Sequence, residues 1–424
     1  MSIYVAGIDF GTTNSSAAIS DGKVVQMIDV EKGKDTIPTA LFFPDKSNQI
    51  LYGREAQTKY TSEENPGRFM RSMKRILGTS LMQEGTVING KSVSFDDIVG
   101  YFIKHIKQKI DKAAGQNVES VVMGRPVHFC DDDPEGDKRA EQELKKIALA
   151  AGFKHVAFQY EPIAAAFAHE QNITSDKLAF VVDIGGGTSD FTVIRLSPNR
   201  KFNFDRTSDV LANTGVRIGG NDFDKDLSIK SFMPCFGLGT KYKTYNKDIY
   251  LPTGPFISLS TWSSVNEVYN YKTLNMVKDY VVWGLEPEKT QRLYEIIENR
   301  LGHQNLDYVE NAKIALSEIA EYDIKLDFLS DAPTIHINRE LFEKAIEQNV
   351  KKIEKSVQEC LNKAKVKNTD IELVILTGGS TEIPYINNAM QSYFPKAKVS
   401  SENKMASVGL GLAYDAMRRF YKKP

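Results

Sequence analysis

The chain has 424 residues and a formal net charge of -1, from 54 basic and 55 acidic side chains. Hydrophobic residues make up 41% and charged residues 26%, enough apolar material for a packed core, which excludes wholesale disorder. The charge balance leaves no electrostatic footprint for nucleic acid or an anionic membrane, and no run approaches the ~18 apolar residues of a membrane span. The length predicts two or three domains, or one large bilobed unit. Cys130, Cys235 and Cys360 are too far apart for a CxxC metal site or a disulfide framework, so reduced thiols in a cytoplasmic protein are expected. Met1 to Gly7 carries neither a basic start nor a long apolar stretch, which fits that expectation.

In chain order, the first signal is the apolar run from Val5 to Phe10, containing Asp9, followed by the turn Gly11-Thr12-Thr13 and a β-rich segment from Ser16 to Ile19. That pattern predicts strand, tight turn, strand. The polar stretch from Thr61 to Pro66 predicts a loop. Val121 to Met123 reads as a strand, and Gly136 to Ala151 as a helix with Ala140, Leu144, Ile147 and Ala151 on one face. The opening pattern then returns: Phe180 to Ile184 contains Asp183, the turn is Gly185-Gly186-Gly187-Thr188, and Phe191 to Ile194 is β-rich. Asp9 and Asp183 lie 174 positions apart, so the echo implies duplication of a domain-sized unit. No shorter period recurs, which excludes a solenoid. The aromatic, Gly/Pro-dotted stretch from Met233 to Trp262 reads as loops or inserted subdomain. Leu341 to Leu361 predicts a helix capped by Asn338. Leu373 to Leu376 predicts a strand that runs into Thr377-Gly378-Gly379-Ser380. Strands alternating with helices predict α/β layers.

A Gly-rich turn after a strand can cradle phosphate, because glycine lets the backbone approach closely and successive N–H groups form an anion nest. Threonine hydroxyls add donors, and an Asp at the strand end can hold Mg²⁺ through its waters. One such turn is most simply a hairpin; two at matching positions can grip a polyphosphate from both sides. The third Gly-rich element, Leu376 to Pro384, allows close approach to a flat ligand, or equally an ordinary glycine helix entry. The chain lacks a GxxxxGK[ST] loop, a GxGxxG opening a helix and a GxSxG elbow. Its six histidines form no metal-binding pair.

These elements, in this order, resemble the actin-like ATPase superfamily, and more closely the nucleotide-binding domain of DnaK-type heat-shock chaperones. Gly7 to Thr13 is similar to the first phosphate motif. Met73 to Gly78 is similar to the segment with the catalytic lysine, and Glu161 to Ala166 to the segment with the catalytic glutamate. Asp183 to Asp190 is similar to the second phosphate motif, Arg217 to Asp224 to the segment opening the lobe over the nucleotide, and Leu376 to Pro384 to the adenosine motif. Gly124 to Phe129, Phe158 to Pro162 and Arg217 to Asp222 bring the chain nearest to YegD-like proteins. The resemblance implies a duplicated, ribonuclease H-like α/β fold with two lobes and a nucleotide cleft. Lobe I would span 1–174, with an insertion around 40–95 and the C-terminal helix 406–424 packed back on it. Lobe II would span 175–405, with an insertion around 226–334. Asp9 and Asp183 would bracket a hydrated Mg²⁺. Gly11, Thr12, Thr13, Gly185, Gly186, Gly187 and Thr188 would contact the phosphates, with Gly219 and Gly220 nearby. Lys74 would stabilise the transferring phosphoryl group, Glu161 and Asp183 would position water, and Thr188 would assist. Glu310, Lys313, Ser317, Gly378, Gly379 and Ser380 would contact the nucleoside; Glu310 and Lys313 are also spaced for a plain helix-surface ion pair.

Two departures stand out. The family's adenine-stacking arginines correspond to Ile314 and Glu382, which implies weaker nucleotide affinity or relaxed base preference, since glutamate cannot replace a guanidinium stack. The sequence also runs out after Tyr414 and Lys422-Lys423-Pro424, which implies no attached peptide-binding domain. The expected function is therefore a monomeric, chaperone-like Mg-ATPase of slow turnover that binds ATP or ADP and signals to a separate protein partner. A small-molecule kinase, an actin-like filament protein and a non-hydrolysing nucleotide-dependent scaffold are the alternatives.

Overall fold

A computed structural model describes residues 4–61, 67–130, 133–201, 203, 205–400 and 406–421. Most of the loop expected at Thr61 to Pro66 falls outside the described residues, as do the last three residues. The chain forms two compact units: Met1–Gly219 with Lys352–Thr381 and Ile386–Pro424, and Gly220–Lys351 with Glu382–Tyr385.

In the first unit, β1 (Val5–Phe10) and β2 (Asn14–Ser20) form the expected hairpin, and β3 (Val25–Met27) and β4 (Thr36–Pro38) both pair with β2. A small sheet follows, from β5 (Ala40–Pro44), β6 (Leu51–Tyr52) and, after α1 (Gly53–Thr61), β7 (Gly67–Arg71). The hairpin β8 (Gly85–Ile88) and β9 (Lys91–Ser94) leads into α2 (Phe95–Ala114). The Ser94 hydroxyl accepts from Asp97 N, a side-chain cap for an orphan helical N–H. β10 (Ser120–Arg125), α3 (Pro134–Ala150), β11 (His155–Tyr160) and α4 (Glu161–Glu170) complete the first half. The expected helix at 136–151 is α3, started by Asp133, which accepts from Gly136 N. A second sheet begins with β12 (Lys177–Ile184), β13 (Ser189–Leu196) and β14 (Val210–Val216).

The second unit contains α5 (Gly220–Leu227), the hairpin β15 (Lys241–Lys243) and β16 (Asp248–Tyr250), α6 (Gly254–Leu259), α7 (Tyr271–Trp283), α8 (Pro287–Glu298), α9 (Gly302–Glu318), and the hairpin β17 (Glu321–Lys325) and β18 (Thr334–Asn338). α10 (Arg339–Ala364) contributes residues to both units. Asn338 accepts from Leu341 N, the cap its position implied. β19 (Leu373–Thr377), α11 (Pro384–Tyr393), β20 (Lys398–Ser400) and α12 (Ser407–Phe420) close the chain.

The duplication is explicit in the pairing. The first sheet runs β11-β10-β1-β2-β3 and the second β20-β19-β12-β13-β14. In each, the opening strand pairs antiparallel with its hairpin partner and parallel with a later strand: β1 with β10, and β12 with β19. Successive residues of a strand point to opposite faces of its sheet. On β1, Ala6, Ile8 and Phe10 enter a core with α2 and α3, whereas Val5 joins Ala164, Ala165 and Ala166 of α4 and Val408 and Leu412 of α12. Ala179 and Val181 of β12 join that same second cluster. Asp9 and Asp183 continue these faces, each at the penultimate position of its strand. A one-residue slip in either strand would turn its aspartate into the opposite layer.

Candidate active site

Four carboxylates and one ammonium converge in the first unit. Lys74 sits in a short 3-10 turn, Met73–Ile76, entered through Ser72 in the left-handed region at φ 58. Its Nζ makes an ion pair with Glu161 Oε1. Both residues are buried, at 6% and 7% exposure. Glu161 opens α4, where the helix dipole favours a carboxylate. Gly124 on β10 makes its space, since a Cβ there would lie 3.1 Å from Glu161 Cγ. Asp9, Asp183 and Asp190 surround this pair closely enough to share its field.

The fields are strong. Burial, then Glu161, push Asp9 up to about 7 against the pull of Lys74. Burial and Glu161 likewise push Asp190 up to about 7. Asp183 is raised well above the ordinary value by burial, Glu161, Asp190 and Asp9. Burial opposes the charge of Lys74, but Glu161, Asp9 and Asp190 outweigh it and hold the ammonium above its usual pKa. One ammonium does not offset four buried carboxylates.

The Gly-rich turns meet at this cluster. A Cβ on Gly187 would lie 2.7 Å from Thr12 Oγ1, so the two hairpin turns touch. A Cβ on Gly219 would lie 2.6 Å from Gly187 N and 2.7 Å from Gly185 O. Gly378, at φ +80, would put a Cβ 2.3 Å from Ile184 O and 2.9 Å from Asp183 Oδ1. Ser380 Oγ donates to Gly185 O at 3.1 Å. Arg217 donates to Arg75 O at 3.0 Å, tying the segment before Gly219 to the turn of Lys74. Gly11 is held through its carbonyl, which accepts from Thr39 Oγ1. The buried Thr13 Oγ1 has no hydrogen-bond partner among the described residues.

These observations fit a hydrated divalent cation and a polyphosphate. Excess buried carboxylate needs positive charge, and an unpartnered hydroxyl beside packed glycine turns suits a phosphate oxygen. Among the described residues no group of three or more His, Cys, Asp or Glu has the geometry of a directly ligated metal.

Asp9, Gly11, Thr12, Thr13, Lys74, Glu161, Asp183, Gly185, Gly186, Gly187, Thr188, Gly219, Gly378, Gly379 and Ser380 all lie in this unit. Gly220, Glu310, Lys313 and Ser317 lie in the other. There Lys313 Nζ is 2.8 Å from the buried Asp224 and 3.4 Å from Gly220 O, and Ser317 Oγ donates to Lys313 O on its own helix. Ile314 is 53% exposed. The site residue absent from the sequence expectation is Asp190. Its signal was available: it faces Asp183 across the hairpin, and its Oδ1 accepts from Val127 N at 2.7 Å.

Asp190 carries a pH prediction. Its pKa is raised on folding from 3.8 to about 7, so its folded form binds a proton that the unfolded chain releases. Stability from this group is complete below pH 4 and is lost as pH rises through about 7. The rise corresponds to about 4 kcal/mol as an upper figure. Asp190→Asn, neutral throughout and still able to accept from Val127, is expected to melt higher than wild type at pH 8 without nucleotide and to show a flatter melting profile from pH 5 to 8. Parallel calorimetric profiles for the two proteins would refute this.

Two sheets of matching order, each opening on a strand, an aspartate and a phosphate-type turn, give the chain the fold of the actin-like ATPase class. The chain belongs to the Hsp70 family, whose family model, described as Hsp70 protein, matches residues 5–237 and 277–417. It is 26% identical to the chaperone protein DnaK of Thermotoga neapolitana over 424 residues, covering 97% of this chain and 59% of that protein. Its identity to DnaK of Mycoplasma mobile is 27% over 419 residues, covering 96% and 57%. The chain therefore spans less than two thirds of the curated relatives it matches.

Proposed function

We propose that this chain binds ATP with Mg²⁺ and hydrolyses it slowly, as a chaperone-like ATPase that acts on a protein partner. The observation that supports this most is the cluster of Asp9, Asp183, Asp190 and Glu161 around Lys74, beside turns in contact at Thr12 and Gly187. Asp9 and Asp183 would hold the cation through its waters. Mg²⁺, when bound, supplies charge neutralisation for the phosphate oxygens. Thr12, Thr13, Thr188 and the backbone N–H groups of 185–188 would donate to the β- and γ-phosphates. Lys74 would stabilise negative charge on the transferring phosphoryl group, which is the main demand of this chemistry. Glu161 and Asp183 would orient the attacking water and accept its proton. Glu310, Lys313 and Ser317, with Gly378, Gly379 and Ser380, would contact the nucleoside. Ile314 and Glu382 there in place of stacking arginines would weaken the grip on the base. The halves 1–174 with 406–424, and 175–405, would be the two lobes.

The test is phosphate release by the purified chain from ATP alone, with and without Mg²⁺. Release that chelation abolishes is expected. No phosphate release from ATP alone, with ADP and a phosphorylated acceptor formed only after a sugar or acid is added, would replace this reading with a small-molecule kinase; nucleotide-dependent pelleting would indicate a filament, and tight binding with no turnover a scaffold.

A further inference from the structure

α4 begins with Glu161 and ends with Glu170, and its middle is almost featureless. Ala164, Ala165 and Ala166 are fully buried, and Gly411 of α12 comes so close that a Cβ there would lie 1.7 Å from Ala164 O. Where the helices meet most closely, through alanines and glycine, few side chains protrude to interlock, and the larger groups of the cluster are Ile163 and Phe167 of α4 with Val408 and Leu412 of α12; apolar packing of this kind fixes the distance between axes better than the position along them. A directional contact adds what it lacks, a fixed position of the helix along its axis and with it the reach of Glu161 toward Lys74.

The far end of α4 supplies it. Glu170 is 1% exposed and accepts from both terminal nitrogens of Arg206, each at 2.7 Å, and from Ser197 N at 2.9 Å. Arg206, 4% exposed, is itself paired with Asp209, which also binds Arg200. Phe167, one turn before Glu170, lies against two guanidinium groups: Arg206 at 5.0 Å and Arg418 of α12 at 5.4 Å. Arg418 is anchored on the fully buried Asp415, which also takes Arg419 and Gln159. A bidentate guanidinium–carboxylate pair is directional in a way that alanine packing is not, and Phe167 registers α4 against both Arg206 and α12.

We infer that the Glu170–Arg206 clamp, with Phe167 between Arg206 and Arg418, is a positioning device that sets the axial register of α4 and thereby holds the Glu161 carboxylate on Lys74, about 14 Å away along the helix. Its catalytic consequence rests on the ATPase reading; its geometric consequence does not, and the experiment separates the two. Glu170→Gln keeps the acceptor for Ser197 but loses the charged pair, and Arg206→Lys keeps the charge but loses the fork. Lys107→Met breaks an ion pair whose lysine is as buried as Arg206, though its partner Asp111 on α2 is more exposed, and serves as the control for general destabilisation.

The first readout is the rate at which an amine-acylating reagent labels Lys74 in the full nucleotide-free chain, followed by mass spectrometry. A buried ammonium reacts only through local opening, so a shift of α4 should raise that rate by about tenfold or more in Glu170→Gln and Arg206→Lys but not in Lys107→Met. The second is ATP turnover: kcat should fall about tenfold with KM little changed, and Glu170→Gln should add no further loss in a Glu161→Gln background, as expected of residues acting through one group. Lys74 labelling that merely follows melting temperature across all three variants overturns the inference. So does an additive loss of kcat, or a change confined to KM. If the wild-type chain releases no phosphate, the ATPase reading fails while the labelling still decides the clamp.

Discussion

Lys74→Ala is expected to lower phosphate release by at least two orders of magnitude and also to destabilise the protein by about 3–5 kcal/mol. The kinetic loss follows from removing a preorganised charge from the transferring group. The stability loss follows from leaving Glu161 buried with Asp9, Asp183 and Asp190 and without their cation. Removing the other partner should behave differently. Glu161→Gln takes away a carboxylate that raises the pKa of all three aspartates, and Lys74 keeps Asp9 and Asp190 beside it. This variant should therefore lose turnover by 10²–10⁴-fold yet unfold at a denaturant concentration equal to or above that of wild type. The double variant should recover much of the stability lost in Lys74→Ala and none of the activity. Denaturant melts and phosphate-release rates on the four proteins complete the cycle, and a Lys74→Ala protein within tenfold of wild-type turnover would sink the assigned role.

Gly411→Ala should be the most damaging conservative substitution in the core. One methyl group would enter 1.7 Å from Ala164 O and 2.3 Å from its carbonyl carbon, distances that only a movement of α4 or α12 can relieve. Overpacking against side chains costs about 1–3 kcal/mol. Here the obstacle is backbone on a helix whose first residue is Glu161, so a loss above about 3 kcal/mol is expected, with turnover falling further than stability. Gly100→Ala is the contrast. It lies in the interior of α2 with nothing within 4 Å of the added carbon, and should stabilise by about 0.5–1 kcal/mol through helix propensity alone. Thermal melts of the two variants, one carbon each, should move in opposite directions.

What was legible in the sequence was local. The two hairpins announce themselves because an apolar run, an aspartate and a glycine turn are contiguous, and their duplication needs only a comparison of Val5–Phe10 with Phe180–Ile184. The periodic helix from Leu341 and its Asn338 cap are contiguous too. What was not legible depends on meetings between distant residues. The stretch from Met233 to Trp262 conceals the hairpin of β15 and β16, where tyrosines and lysines alternate without an apolar face, and the helix α6, whose six residues are too few to show a period. The tie between Lys313 and Asp224 crosses 89 positions, joining two segments that the sequence reads separately, and that between Glu170 and Arg206 crosses 36 outside any motif. Asp190 was within reach, since hairpin register alone sets it opposite Asp183.

The pairing of β12 with β19 has a consequence for how the chain is made. Asp183 and Thr377 are register partners, so 194 residues must leave the ribosome between one half of that contact and the other. At about 5–20 residues per second this is a wait of roughly 10–40 s. Throughout it the apolar run Phe180–Val182 has its β13 neighbour on one side and an open edge on the other. Such an edge invites pairing with other nascent chains, and α12, which completes the cluster joining both sheets, emerges later still. The interval in which that edge stays open is thus bounded by the emergence of β12 and β19.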